Sequence, residues 1–268
     1  MSKSNGTITV CIGNYGYYNE GELRDRWITL PKSDEEIRRF LEENGLQDET
    51  HEEIYISDYD GIPFGLSYGG IFSEYTSLYD LNLLAKHMAI RPEASKRVEE
   101  ALGTGGINAP DSVIGLMNWI EQSDEIPYYP YSFKGMEHHS EMSSEEKLGR
   151  TIAEASGLYA YLYKHGIESY FDYEAYGADE NYNDYVSLGE NGYIDNMEDM
   201  PDEGRYSRND LEKMVNRRYE QLFGNGEEPD GTPSLDSEAR DAMRGVGRAN
   251  LREPEISHAA PHQDISGR

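Results

Sequence analysis

The chain has 268 residues, of which 52 are acidic and 24 basic, for a formal net charge of −28. That charge repels nucleic acid and anionic lipid and steers the protein toward basic surfaces; at one duplex charge per ~1.7 Å it matches roughly 48 Å of DNA. A lone cysteine, Cys11, excludes an internal disulfide and fits a reducing cytosol, while the lack of an apolar leader or a run of ~18 apolar residues points to a soluble, cytoplasmic chain with no membrane partner.

Hydrophobic residues make up 37% of the chain, below the ~45–50% usual for globular domains. This predicts an elongated α+β body of small units. In chain order, Ile8, Val10 and Ile12 alternate in a strand over residues 7–13, which leads into a Gly/Asn/Tyr loop over 14–21. A second strand covers residues 26–30 and is stopped by Pro31. Ser33-Asp34-Glu35-Glu36 has the form of a capping box and opens a helix to about Glu43, with Ile37, Phe40 and Leu41 inward. A third strand is expected over 53–57.

The middle reads as helical. Helices over 77–88 (Leu78, Leu81, Leu84, Ala85 inward), 92–102, and from Pro110 onward (Val113, Leu116, Met117, Ile120 inward) follow the 3.6 period. Residues 126–139, with Pro127, Pro130 and three tyrosines, read as an inserted loop. A further Ser-Ser-Glu-Glu cap at Ser143 starts one helix to about Lys164, with Leu148, Ile152, Ala155, Tyr159 and Leu162 inward. Residues 182–188 and 192–194 suggest a hairpin. The expected organisation is therefore a small sheet plus helix over 6–72, a central helical unit with an inserted loop over 73–142, an acidic α/β unit over 143–200, and a tail over 201–268. The tail carries ten basic and fourteen acidic residues, leaving −24 on residues 1–200. One helix is possible over 207–223, and the Gly, Pro and Ser content beyond it predicts disorder.

Catalytic chemistry is not legible. There is no Walker loop, G-x-S-x-G, H-E-x-x-H or C-x-x-C, so neither an enzyme nor a bound cofactor is expected. Adjacent His138 and His139 point apart and make a poor metal site. Gly103-Thr104-Gly105-Gly106 follows a helix rather than a strand and reads as a helix-ending turn. The Asp172–Gly177 stretch has the spacing of a calcium loop but puts Tyr176 where a ligand is needed.

The anomaly lies in residues 165–204, which lack any Lys or Arg and hold twelve acids: Glu168, Asp172, Glu174, Asp179, Glu180, Asp184, Glu190, Asp195, Glu198, Asp199, Asp202 and Glu203. Six tyrosines are threaded among them, so the block has the aromatic area that a disordered acidic tail lacks. It reads as a folded negative surface for a basic partner. A solvated face adapted to high salt is the plain alternative, and 16 Arg against 8 Lys is compatible with it; halophilic acids, however, would be spread evenly. Two other readings stay open on the residues alone: a generic acidic module that sequesters basic proteins, and a calcium-dependent or carboxylate enzyme.

Four segments, at residues 18–27, 52–59, 72–78 and 170–177, carry motifs in which the chain resembles the ArdA family of antirestriction proteins. After the first strand, Tyr18, Asn19, Gly21, Leu23 and Trp27 fit Tyr-Asn-x-Gly-x-Leu-x-Gly-x-Trp, with Asp25 in place of the second glycine. The run Glu52-Glu53-Ile54-Tyr55-Ile56-Ser57-Asp58-Tyr59 is similar to Glu-Glu-x-x-Ile-His-Asp-Tyr, with Ser57 replacing histidine. Phe72–Leu78 continues the likeness, and Tyr170-Phe171-Asp172-Tyr173-Glu174-Ala175-Tyr176-Gly177 resembles Tyr-Ile-Asp-Tyr-x-Ala-Tyr-Gly. The likeness runs through residues 7–195 in the family's order. A segment of antirestriction function would fall at about residues 148–158, where the match is weak.

The resemblance implies a homodimeric DNA mimic that occupies the DNA-binding groove of a type I restriction–modification enzyme, without binding nucleic acid itself, and so protects incoming mobile DNA. Its partner-binding carboxylates would be Glu168, Asp172, Glu174, Asp179, Glu180, Asp184, Glu190, Asp195, Glu198 and Asp199. Tyr18, Asn19, Gly21, Leu23, Trp27, Asp58, Tyr59, Tyr173, Tyr176 and Gly177 would be structural motif residues.

Overall fold

The computed structural model describes residues 6–224 apart from 68, 133–138 and 183–184. Asp184, His138 and the whole stretch after Gly224, where disorder was expected, lie outside the described residues. Within them, helices and two small antiparallel sheets make an α+β fold.

The first sheet has the order β2-β1-β3, from β1 (Ile8–Asn14), β2 (Arg26–Leu30) and β3 (Ile54–Tyr59). The alternation of β1 works as expected: Ile8, Val10 and Ile12 are buried, as are Ile28 and Leu30 opposite them. On β3 the inward residues are Ile56 and Tyr59, three apart, which a regular strand would place on opposite faces. A bulge resolves this: Cys11 pairs with Asp58 and Ile12 with Ile56, so Ser57 is the extra residue. Between β1 and β2 the expected loop contains a short helix, α1 (Tyr15–Asn19). Asn14 caps it by accepting from the Gly16 and Tyr17 amides, and Gly21 leaves it at φ +87°.

The capping box at Ser33 is present in full and starts α2 (Asp34–Glu43), whose Ile37 and Leu41 join the sheet's core. Helices α3 (Leu78–Ile90), α4 (Pro92–Gly103) and α5 (Val113–Glu121) follow, capped at Ser77, by Pro at the first turn, and at Ser112 respectively. The leucines expected inward on α3 and the four apolar residues of α5 are all buried in one cluster with the first sheet. Two buried asparagines lock distant backbone to this cluster. Asn82 both donates to the Lys32 carbonyl (2.9 Å) and accepts from its amide (2.8 Å); Asn118 does the same to Tyr206 (3.0 and 2.8 Å).

Three expectations need correcting. First, the inserted loop holds a strand, β4 (Tyr128–Pro130), which pairs with β6 (Gly192–Asp195); β6 also pairs with β5 (Val186–Leu188), giving a second sheet in the order β4-β6-β5. Pro130 argued against a strand, but β4 lies at the sheet edge, where a missing amide costs no ladder bond. Second, the single helix after Ser143 is two, α6 (Ser144–Ala155) and α7 (Leu158–Lys164), broken at Gly157 with φ +78°. On α6 the buried position is Ala153 rather than the expected Ala155, which is exposed. Third, α9 (Arg208–Phe223), capped by Ser207, is no peripheral tail: it packs on α3 and α5, with Leu211 and Val215 fully buried in the main core. Burial of this kind is worth about 1.5–3 kcal/mol per side chain.

Candidate functional site

The acidic block is built on two supports. Residues 173–181 form α8 (Tyr173–Asn181), capped by Asp172, which accepts from the Ala175 amide at 2.9 Å. This helix packs against α6 around Gly149 and Gly177. A Cβ on Gly149 would collide with the Tyr173 carbonyl oxygen, and one on Gly177 with the Glu145 carbonyl oxygen. The two helices therefore touch backbone to backbone. Ala153, Leu162 and Tyr173 form a small apolar cluster beneath them, separate from the main core, with Phe171 and Tyr176 packed on it. The second support is the β4-β6-β5 sheet, whose Tyr128 and Ile194 belong to the main core.

On α8, Glu174, Asp179 and Glu180 are exposed, and no ion pair or hydrogen bond engages their carboxylates among the described residues. On and after the second sheet, Glu190, Glu198 and Asp199 are exposed and Asp195 is half-buried. Glu198 accepts from the Tyr129 hydroxyl at 2.8 Å, and Asp195 accepts from the Met197 amide at 2.8 Å. Of the nine expected carboxylates among the described residues, Glu168 alone has a cation partner there, Arg150 at 3.4 Å. Two cations of α6 meet the block, Arg150 and Lys147. The Arg150 guanidinium lies 4.2 Å from the Tyr173 ring centre and bonds Glu146 at 3.0 Å, while Lys147, almost buried, donates to the Glu190 carbonyl. Arg150 and Tyr129 were not anticipated. Arg150 sits four residues after Glu146, a visible helix pairing, but Tyr129 could be found only by knowing that β4 exists.

The tyrosines divide the same way. Tyr173 is buried and Tyr176 half-buried, whereas Tyr170 and Tyr182 stand in solvent. Tyr129, Tyr193 and Tyr131 form a row, with ring centres 5.5 and 6.2 Å apart. Burial raises the Tyr193 hydroxyl, with Asp195 adding to it, and the bond to Glu198 raises that of Tyr129, so both stay neutral donors beside carboxylates.

Over residues 10–195 the chain matches the model of the family described as antirestriction protein (ArdA). The chain belongs to the ArdA family. Membership makes it an antirestriction protein by family, in a family not known for enzymes. No curated protein matches the chain. The match ends at the end of β6, so α9 lies beyond it although its apolar residues are part of the core. Among the described residues no three His, Cys, Asp or Glu side chains converge to hold a metal ion, and no helix is long and apolar enough to cross a membrane.

The motif residues have split roles. Tyr59 is buried and donates to the Ser73 carbonyl at 3.0 Å; Tyr173 and Gly177 form the α6–α8 contact. Tyr18, Asn19, Leu23, Trp27 and Asp58 are instead exposed, Leu23 by 76% and Trp27 by 49%. Whatever those five do, they do it at the surface.

Proposed function

We propose that this ArdA-family chain is a DNA mimic that occupies the DNA-binding groove of a type I restriction–modification enzyme. It would act as a cytoplasmic homodimer and shield incoming mobile DNA. The observation that carries this reading is the set of exposed carboxylates on α8, Glu174, Asp179 and Glu180, cation-free among the described residues and mounted on a helix held by close glycine contacts. A DNA-binding groove gains affinity by pairing Lys and Arg with phosphates and releasing their counterions. Fixed carboxylates meet the same cations without offering a scissile strand.

Binding energy spread over many charges makes no single acid decisive. Neutralising Glu174, Asp179 and Glu180 together should therefore weaken protection clearly more than any one change, while leaving the thermal midpoint nearly unmoved. The test is a plasmid-protection assay against a type I system, paired with competition between this protein and duplex DNA for the modification enzyme at several salt concentrations. Loss of function from a single Asp→Asn change with silent neighbours, or competition that ignores salt, would sink the mimic reading.

A further inference from the structure

Helices α2 and α3 pack on one face of the first sheet; on the other face α1 meets one end, where Tyr15 and Tyr18 pack on the Tyr55 ring. On that other face the central strand carries small side chains, Thr9, Cys11 and Gly13, and taller ones rise on both sides. Trp27 on β2 and Asp58 on β3 each pair with Cys11, so they face one another across it, about 10 Å apart at two strand spacings. The bulge at Ser57 puts Asp58 there: without the extra residue, Asp58 would turn inward and Tyr59 outward. At one end, the Tyr55 ring and the Asp25 carboxylate close over Gly13, where a Cβ would lie 2.5–2.6 Å from both. At the other end the Thr9 and Thr29 hydroxyls meet at 3.0 Å. Cys11 between them is only 6% exposed, with an exposed indole on one side and carboxylates on the other side and at the end. Arg26 on β2 pairs with the inward Ile12 and so points to the opposite face.

A half-exposed indole facing carboxylates, with no cation on the same face among the described residues, is complementary to a flat cation. The chain seats its own arginines this way twice. The Arg24 guanidinium lies 3.6 Å from the Tyr17 ring centre and bonds Glu22, and Arg150 lies over Tyr173 between Glu146 and Glu168. In both seats the ring takes the face of the guanidinium and carboxylates take its edge.

We propose that the outer face of the first sheet is a docking site for an arginine-bearing segment of a protein partner, with the guanidinium stacked on Trp27 and its edge bonded to Asp58. This site is separate from the acidic block and does not depend on how that block acts. A lysine suits it less well, because a tetrahedral ammonium cannot stack flat on the indole while offering two parallel donors to one carboxylate.

The chain provides its own reporter. Of two tryptophans, Trp119 is buried and Trp27 exposed, so a change in emission or in iodide quenching on adding ligand reports on Trp27. The full-length protein is titrated with a capped Gly-Arg-Gly-Arg-Gly peptide and with its lysine counterpart at matched ionic strength. The expected result is quenching of Trp27 by the arginine peptide with about fivefold tighter binding than the lysine peptide. Asp58→Asn should weaken the arginine peptide about threefold. Trp27→Leu removes the reporter, so its binding is read by calorimetry: the preference for arginine should vanish while weak cation binding by the acidic block persists. The buried Trp119 emission checks that each variant is folded. Equal affinity for the two peptides, arginine binding that leaves Trp27 emission unchanged, or a preference that survives Trp27→Leu would each overturn the proposal. None of these outcomes bears on plasmid protection by the α8 carboxylates, so the two readings stand or fall separately.

Discussion

Around Glu121, two other helices and the α3–α4 junction converge on a single carboxylate; along α8, three carboxylates stand with no cation partner among the described residues. Glu121 is 6% exposed and accepts from His87 Nε2 on α3 (2.9 Å), Arg91 between α3 and α4 (2.7 Å), and Arg218 on α9 (2.6 Å). Glu174, Asp179 and Glu180 are exposed and unpaired. The difference teaches where a chain of net charge −28 spends its few cations. Some meet an acid whose burial would make it intolerable unpaired, some form joints such as Arg208–Asp80 (2.7 Å) and Arg205–Glu125 (2.5 Å) that tie the stretch after residue 200 to the central helices, and others sit in local pairs such as Arg38–Glu35 and Lys96–Glu100. The block is left negative as a consequence of that allocation.

The largest predicted effect breaks the acidic side of the comparison without touching a charge. Gly177→Ala places a methyl group inside the Glu145 carbonyl, so α6 and α8 must part. The expected cost is at or above ~3 kcal/mol, the upper end for overpacking. Because the cluster under α8 is separate from the main core, thermal denaturation should show a new early transition, with Trp119 emission reporting the later one. A single unshifted transition would mean the two clusters unfold as one and the helices accommodate the methyl.

Gly177 also marks how far the sequence could be read. Helix starts were legible at the caps Ser33 and Ser143 and at Ser77 and Ser207, whereas the helix expected from Pro110 starts only at Val113, capped by Ser112; the inward faces of α3 and α5 follow from spacing alone. The acids and the glycine were legible as residues. What no local pattern carries is a partner distant in the chain: Gly149 against Gly177, Tyr129 beside Glu198, Asn118 on Tyr206, or the burial of Leu211 and Val215 against helices more than ninety residues away. Pro130 misled for the opposite reason, since its local meaning is overridden by an edge position that only the assembled sheet defines.

Next in size is Glu121→Gln, which leaves Arg91 and Arg218 facing a neutral amide. Breaking a buried pair costs about 3 kcal/mol, and here the loss should loosen α9. Urea denaturation and hydrogen exchange in α9 test it; a cost below that of an ordinary surface change would mean the guanidiniums simply turn to solvent. The same change applied to Glu180 should be nearly silent on stability, which is the contrast in its sharpest form.

The smallest effect is one of pH, and its sign differs between regions. Burial pushes the Glu121 carboxyl up, but the His87 bond and the two arginines outweigh it and bring it down to about 2. Its contribution is full above the ordinary 4.5 and is lost as pH falls toward 2. Burial holds His87 below the ordinary 6.5 despite its bond to Glu121, so stability from the neutral ring is also lost on acidification, starting below about that value. At the N-terminal end, His51 stacks on Tyr17 with ring centres 3.9 Å apart and places its two nitrogens 2.9 Å from Asp48 and 3.3 Å from Glu20. The Asp48 bond raises it above 6.5, against partial burial and with help from Glu20. A raised value means its contribution is present below 6.5 and lost as pH climbs through the folded value. Exchange of the α1 amides should therefore quicken on the alkaline side and that of α9 on the acid side. Two profiles of the same sign would refute the assignment.

The bare contact between Gly149 and Gly177 has one more consequence. Where helices meet through interlocking side chains, rotamers can give, and each helix can slide or roll by a fraction of a residue. Here carbonyl oxygen stands against Cα, and no torsion is left to relax. The Cα positions of the acids along α8 thus keep a fixed spacing, and only their own side-chain torsions are left to move the carboxylates.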